Sequence, residues 1–255
     1  MNVLLVKFIA LLLLLNTVAF NGTAQNSYLN LMQSSSKTNG LFNKVEDSLR
    51  KQFEAKKLQW PPHEVYIRTF KYDRLLEVWV KSEPKDAFKL FKSYKICMQS
   101  GTIGPKRMEG DFQMPEGFYY INEFKPNSNF HLSLGLNYPN ASDKILSDSY
   151  RPGNSIYIHG KCLSVGCIAI DNLPIEEVYL MTSYAKEAGQ EFIPVHVYPV
   201  KYNVKKSFDY LAEITKENQP LQQFAISLKN AFDYFEDKKQ LPLILVNKKG
   251  DYIIN

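Results

Sequence analysis

The chain has 255 residues, enough for one sizeable core or two small ones. Its 45% hydrophobic and 22% charged residues exclude a wholly disordered, collagenous or coiled-coil chain, and 13% aromatic residues lean toward strands. The formal charge of +5 suits an anionic polymer without naming one, and three cysteines are too few for a disulfide scaffold.

Residues 1–24 read as a secretory signal peptide. Lys7 precedes eight unbroken apolar residues, 8–15, and Gly22-Thr23-Ala24 offers a small-residue cleavage site. The apolar run is too short to span a bilayer, which takes about 20 residues. Cleavage after Ala24 removes one Lys and no acid, leaving +4. The mature chain is expected outside the cytoplasm. Residues 25–40 are polar and rich in Ser and Asn, a flexible lead. Leu41, Val45, Leu49 and Phe53 recur every fourth residue, which predicts an amphipathic helix near 41–57, ended by Pro61-Pro62.

Alternating patterns follow. Val65, Ile67 and Thr69 against Leu76, Val78 and Val80, across Lys71-Tyr72-Asp73-Arg74, predict a hairpin. Further strands are expected at 88–91, 94–98, 117–122, 131–136, 155–159, 168–170 and 193–198. Many short strands argue for a sandwich or barrel rather than a parallel α/β sheet. A helix capped by Asp171 or Asn172, with Pro174 in its first turn and Gly189 at its end, buries Ile175, Val178, Tyr179 and Ala185. From Lys201 the pattern is helical, with Leu221, Phe224, Leu228, Ala231 and Phe235 on one face. Residues 243–246 and 252–254 are expected to pair as a final hairpin.

The chemistry concentrates in residues 154–170. A strand ends in His159-Gly160, a loop with Ser164 and Gly166 follows, and Cys167 opens the next strand. A thiol is nucleophilic as thiolate, and an imidazole within reach can take its proton. Gly166 clears space beside the sulfur, and amides of residues 164–167 are positioned to act as an oxyanion hole. Two other uses of these residues remain open. His159, Cys162 and Cys167 offer three metal ligands, but without the paired spacing of structural zinc sites, so no metal is assigned. A Cys162–Cys167 disulfide would silence the thiol. Cys97 reads as a buried small apolar residue.

His159-Gly160 with Ser164-Val165-Gly166-Cys167 resembles the signature of the L,D-transpeptidase catalytic (YkuD-type) family. The block from Ser100 through Lys106 and Gly110 to Tyr119 is similar to that family's Gly/Pro/Tyr element. Asn137-Tyr138-Pro139-Asn140 with Asp143 is similar to the segment before its catalytic strand. The short loop between His159 and Cys167, Val165 where His is common, Ala169 where Arg or Asn is common, and Cys162 resemble the YafK-type branch.

The resemblance implies a mainly β domain with added helices (α+β), a β-sandwich or barrel-like catalytic unit. The expected division is 1–24 leader, 25–60 lead and helix, 61–200 catalytic domain and 201–255 helical extension. It implies acyl transfer on peptidoglycan stem peptides, with Cys167 as nucleophile and His159 as base and then acid. Gly160, Ser164, Val165 and Gly166 form the loop and oxyanion site. Tyr157, Lys106 and His131 are candidate substrate contacts, although Lys106 and Arg107 read slightly better as surface residues. No cofactor and no nucleic acid is implied. A wall-linked lipoprotein is a further candidate partner, since hydrolytic release of a wall-linked peptide or lipoprotein is the alternative to transfer. A non-catalytic wall-binding module is the alternative from another class. Cys167→Ala is expected to abolish turnover while Cys162→Ser leaves much of it.

Overall fold

The computed structural model describes residues 36–255, with side chains described from residue 39 except Leu41. The expected leader, and residues 25–35 of the expected lead, lie outside the described residues. Helix α1 (Ser36–Ala55) begins five residues before the sequence pattern predicts. Phe42, Val45, Leu49 and Phe53 are all buried, so three- and four-residue spacing builds its inner face.

Eight strands form one sheet. They are β1 (Glu64–Phe70), β2 (Leu75–Lys81), β3 (Lys89–Lys95), β4 (Gly117–Ser128), β5 (His131–Leu136), β6 (Tyr157–His159), β7 (Ile168–Ala169) and β8 (Pro194–Tyr198). Their order is β3-β2-β1-β8-β4-β5-β6-β7. β1 and β2 pair antiparallel, as the alternation predicts. The pairs β1–β8 and β6–β7 are parallel, so the sheet is mixed. β4 pairs with β8 through Gly117–Tyr120 and with β5 further on, with irregular register at Ile121 and Glu123, so it carries the chain from one half to the other. The two outer strands then meet. Past the end of β3, Cys97 N–H donates to Ala169 O at 2.9 Å, and Ala169 N–H donates to Met98 O at 3.4 Å. That contact closes the sheet into the barrel-like form the sequence implies.

One strand, β3, stands where two were expected at 88–91 and 94–98. Val78 pairs with Lys92 and Trp79 with Leu90, leaving Phe91 as an extra residue. This bulge breaks the period of two that would have announced one strand.

Each face of the sheet has its own cover. α1 and α3 (Asn172–Glu187) pack over Val65, Ile67, Val78, Ile121, Leu134, Ile158 and Val195. Asp171 caps α3 by accepting from Asn172 N–H. The opposite face of β1 and β2 carries Tyr66, Arg68, Phe70 and Trp79. It is covered by α5 (Gln219–Lys238), whose Phe232 and Phe235 lie 6.1 Å from the Phe70 ring and 5.0 Å from the Trp79 ring. Buried Arg68 pairs with Glu77 and, on α5, with Glu236, each at 2.6 Å. α4 (Lys205–Thr215) and the hairpin β9 (Ile244–Val246) and β10 (Tyr252–Ile254) complete this layer, and the hairpin pairs as expected, with Tyr252 opposite Val246. A short helix, α2 (Ala141–Leu146), was not expected. Asn140 and Asp143 form a capping box around its start. Among the described residues no helix is long and apolar enough to cross a membrane.

Candidate active site

The parallel pairing of β6 with β7 sets Ile158 against Ile168 and His159 against Ala169. Registered residues in a parallel pair share a face, and alternate residues along a strand return to it. His159 and Ala169 therefore share one face, and Cys167 stands one residue before β7. Ile158 and Ile168 point the other way, into the core under α3, and both are fully buried. The alternation of Ile156 and Ile158 thus anchors the strand that presents His159.

Gly160 is required by packing. A Cβ there would meet Phe130 O at 2.9 Å and Asn172 Oδ1 at 2.8 Å. Gly166 is required by conformation and by contact. Its φ is +98°, and a Cβ would lie 3.2 Å from Gln113 O. Between them, Ser164 Oγ donates to Cys167 O at 2.7 Å and closes the loop on itself. Val165 at the loop tip is exposed.

The two candidate reactive groups rest on backbone partners. His159 is buried, with Nδ1 2.6 Å from Gly160 O. A carbonyl only accepts, so Nδ1 carries the hydrogen and Nε2 is the basic nitrogen. Burial lowers the His159 pKa below 6.5, against a smaller raising effect of the Gly160 carbonyl. Cys167 Sγ donates to Ser155 O at 3.7 Å. Ser155 holds a left-handed φ of +56°, in the segment that leads into β6. Burial raises the Cys167 pKa above 9.0, while the Tyr157 N–H and the Lys106 charge act in the lowering direction. A neutral imidazole and a neutral thiol are the resting forms at pH 7.

All three sequence blocks converge here. Ser100 Oγ accepts from Gly166 N–H at 2.6 Å, so one amide proposed for the oxyanion hole is already engaged. Lys106 is not a surface residue. It is 6% exposed and pairs with Asp111 at 2.5 Å. Arg107 is half-buried and pairs with Asp143 at 3.3 Å. Asp143 also accepts from Tyr119 O–H at 2.9 Å, and burial lifts its pKa to about 6.

The structure reassigns the cysteines. Cys97 bonds to Cys162, which removes both the Cys162–Cys167 option and the reading of Cys97 as plain packing. Cys167 is the free thiol. Sequence distance hid this pairing, because barrel closure brings residues 65 apart to one point. Among the described residues no group of three or more His, Cys, Asp or Glu is arranged to hold a metal.

The backbone N–H of Tyr157 faces Cys167. Its hydroxyl donates to Glu123 at 2.9 Å and accepts from Lys125 at 3.3 Å. His131 is tied instead to α3, with Nε2 2.6 Å from Glu176. Phe130, Ser133, Glu123 and Lys125 escaped the sequence reading. Ser133 pairs with His159 across β5 and β6, and the Phe130 ring lies 4.6 Å from that of His159. The cue was available in the alternation of β5, once β5 is known to neighbour β6.

Comparison with known proteins adds a relationship. No family model matches the chain. It is 35% identical over 196 residues to the protein named "Putative L,D-transpeptidase YafK" of Escherichia coli strain K12, covering 75% of this chain and 74% of that one. The same identity and coverage hold for the protein of that name from strain O157:H7. Among solved structures, the helical cell shape determining protein Pgp2 of Campylobacter jejuni aligns with a TM-score of 0.42 and 21% identity, covering 72% of this chain and 73% of that one. Bd1075 of Bdellovibrio bacteriovorus aligns with a TM-score of 0.40 and 18% identity, covering 73% and 78%.

Proposed function

The chain belongs to the YafK-like L,D-transpeptidase family, and from that premise we propose that it is a periplasmic cysteine acyltransferase acting on peptidoglycan stem peptides. The observation that carries the reading is the placement of Cys167. It is the thiol left free by the disulfide, and it stands one residue before β7, the strand that pairs with the strand ending in His159.

The proposed chemistry follows from the resting hydrogen bonds. Nε2 of His159 takes the thiol proton, and the sulfur attacks the carbonyl carbon of an L-centre. Collapse breaks the C–N bond as Nε2 returns that proton to the departing nitrogen of the D-residue. An amine or water then opens the thioester. Its proton passes to Nε2 and on to the departing sulfur, which restores the neutral pair. Hydrolysis and transfer differ only in the nucleophile of this second half, so release of a wall-linked peptide or lipoprotein uses the same groups.

The test is to incubate the mature protein, and Cys167→Ala beside it, with disaccharide-tetrapeptide and with whole sacculi, reading products by mass spectrometry. A dimer mass indicates transfer, and a tripeptide or released protein indicates hydrolysis. Either is expected with wild type and absent with Cys167→Ala. A wild-type protein that binds sacculi but yields no Cys167-dependent product would establish the wall-binding module instead.

A further inference from the structure

Ser100 Oγ accepts from Gly166 N–H at 2.6 Å, one residue before Cys167. A hydroxyl carries one hydrogen besides its acceptor lone pairs, and that of Ser100 goes to no acceptor among the described residues. The N–H of Cys167, which lies outside the strands, likewise makes no backbone hydrogen bond among the described residues. Two unengaged donors therefore border the thiol-bearing residue. One is its own amide, and the other is bonded to the amide before it.

The Ser100 hydroxyl is held in place without help from Gly166. Before it, Cys97 is bonded to Cys162, Met98 O accepts from Ala169 N–H at 3.4 Å, and Gln99 Nε2 donates to Lys71 O at 2.8 Å. After it, Gly101 holds a φ of +82°, where a Cβ would lie 2.9 Å from Gln113 Cα, and Thr102 N–H donates to Gln113 Oε1 at 3.0 Å. The chain is thus fixed on both sides of Ser100, which is itself half-buried. A donor fixed before the reaction costs no reorganisation when charge develops beside it.

When the Cys167 sulfur adds to a carbonyl carbon, the C=O π pair moves onto the oxygen, and that negative charge needs donors. We propose that Ser100 is a further catalytic residue, whose O–H donates to this oxyanion beside the Cys167 N–H. This rests on the proposed acyl transfer. The Ser100 hydroxyl takes the place that the Gly166 amide was expected to fill. That amide acts at one remove, because donating to Ser100 Oγ makes the hydroxyl hydrogen a stronger donor. No proton changes hands at the oxyanion. On collapse the electron pair re-forms C=O, the C–N bond breaks, and the proton on His159 Nε2 goes to the departing nitrogen. The same two donors serve the second oxyanion, formed when an amine or water adds to the thioester.

The test follows two reactions of Cys167, one that forms an oxyanion and one that does not. Acylation by disaccharide-tetrapeptide is read in a single turnover from the mass added to Cys167. Alkylation by iodoacetamide displaces iodide from a saturated carbon and forms no oxyanion. Ser100→Ala is expected to slow acylation about a hundredfold, the scale of one lost oxyanion donor, and to leave alkylation at the wild-type rate. Ser100→Thr keeps a hydroxyl and should recover most of that loss. Acylation as fast in Ser100→Ala as in wild type overturns the assignment. So does an equal fall in alkylation, which would make Ser100 a prop for the loop. Wild-type protein that is alkylated at Cys167 but never acylated there would overturn the acyl-transfer reading together with this one, so the two failures are told apart.

Discussion

At the scale of single residues, the site is a set of side chains whose charges have been displaced by burial. Desolvation opposes the charged form of both His159 and Cys167, and so keeps the imidazole unprotonated and the thiol protonated. A resting thiolate–imidazolium pair would give activity between a lowered thiol pKa and a raised imidazole pKa. The neutral pair works the other way. His159 is a base only when unprotonated, and its lowered pKa places the acid limb below pH 6.5. The thiol, raised above 9.0, keeps the proton that Nε2 takes across this range. The expected profile of kcat/KM therefore rises below pH 6.5 and is level from there toward pH 9, and a maximum at or below pH 6.5 would contradict it. At this scale much was legible. His-Gly and Gly-Cys mark the expected base and nucleophile, and each glycine has a structural reason: a Cβ at Gly160 would meet Phe130 O at 2.9 Å, and Gly166 holds a φ of +98°. Ser133 was not legible as a neighbour of His159, since that pairing appears only once β5 and β6 are known to be adjacent.

Between elements, the feature that matters is the closure of the sheet at β3 and β7. A hydrogen bond from Cys97 to Ala169 O joins the segment leaving β3 to the strand that follows Cys167, and the Cys97–Cys162 bond staples the same corner to the loop. A crosslink spanning 65 residues is expected to contribute about 4 kcal/mol by restricting the unfolded chain. Cys97→Ser, Cys162→Ser and the double variant should lose similar amounts, read as urea midpoints, and reduction should bring wild type to the same value. A double variant with the wild-type midpoint would show that the bond does not constrain the fold. Hairpins and helices were legible here, because period and caps are local. β1 with β2, β9 with β10 and the Asp171 cap all follow from nearby residues. The disulfide and the parallel β6–β7 register were not, since each depends on a closure between distant segments. The bulge at Phe91 hid one strand as two for a local reason, an inserted residue that shifts the phase of the pattern.

For the whole molecule, the helical tail is part of the core and not an appendage. Phe70 and Tyr198 of the sheet are fully buried in one cluster with Leu228 and Phe232 of α5, and Arg68 completes its ion pairs with Glu236. Asn140, in the third sequence block, donates to the hydroxyl of Tyr252 at 2.8 Å, so β10 supports the capped turn next to the site. Removing residues 201–255 would expose this apolar face and leave Arg68 short of a partner, at a cost of several kcal/mol. The truncated chain is expected to lose its cooperative thermal transition. A melt within about 5 °C of the full chain would refute the tail's structural role. The periodicity of Leu228, Ala231 and Phe235 made the helix legible, but not the surface it covers, because that surface appears only when β1 and β2 are buried on both faces.

The account stands or falls on a covalent bond at Cys167. Wild-type protein mixed with the tetrapeptide, quenched in acid within the first turnover and digested, should yield the peptide containing Cys167 with the added mass of the acyl tripeptide. That added mass should be absent in Cys167→Ala, and the peptides containing Cys97 and Cys162 should carry none. Turnover that persists in Cys167→Ala, or an acyl group found on another residue, would contradict it.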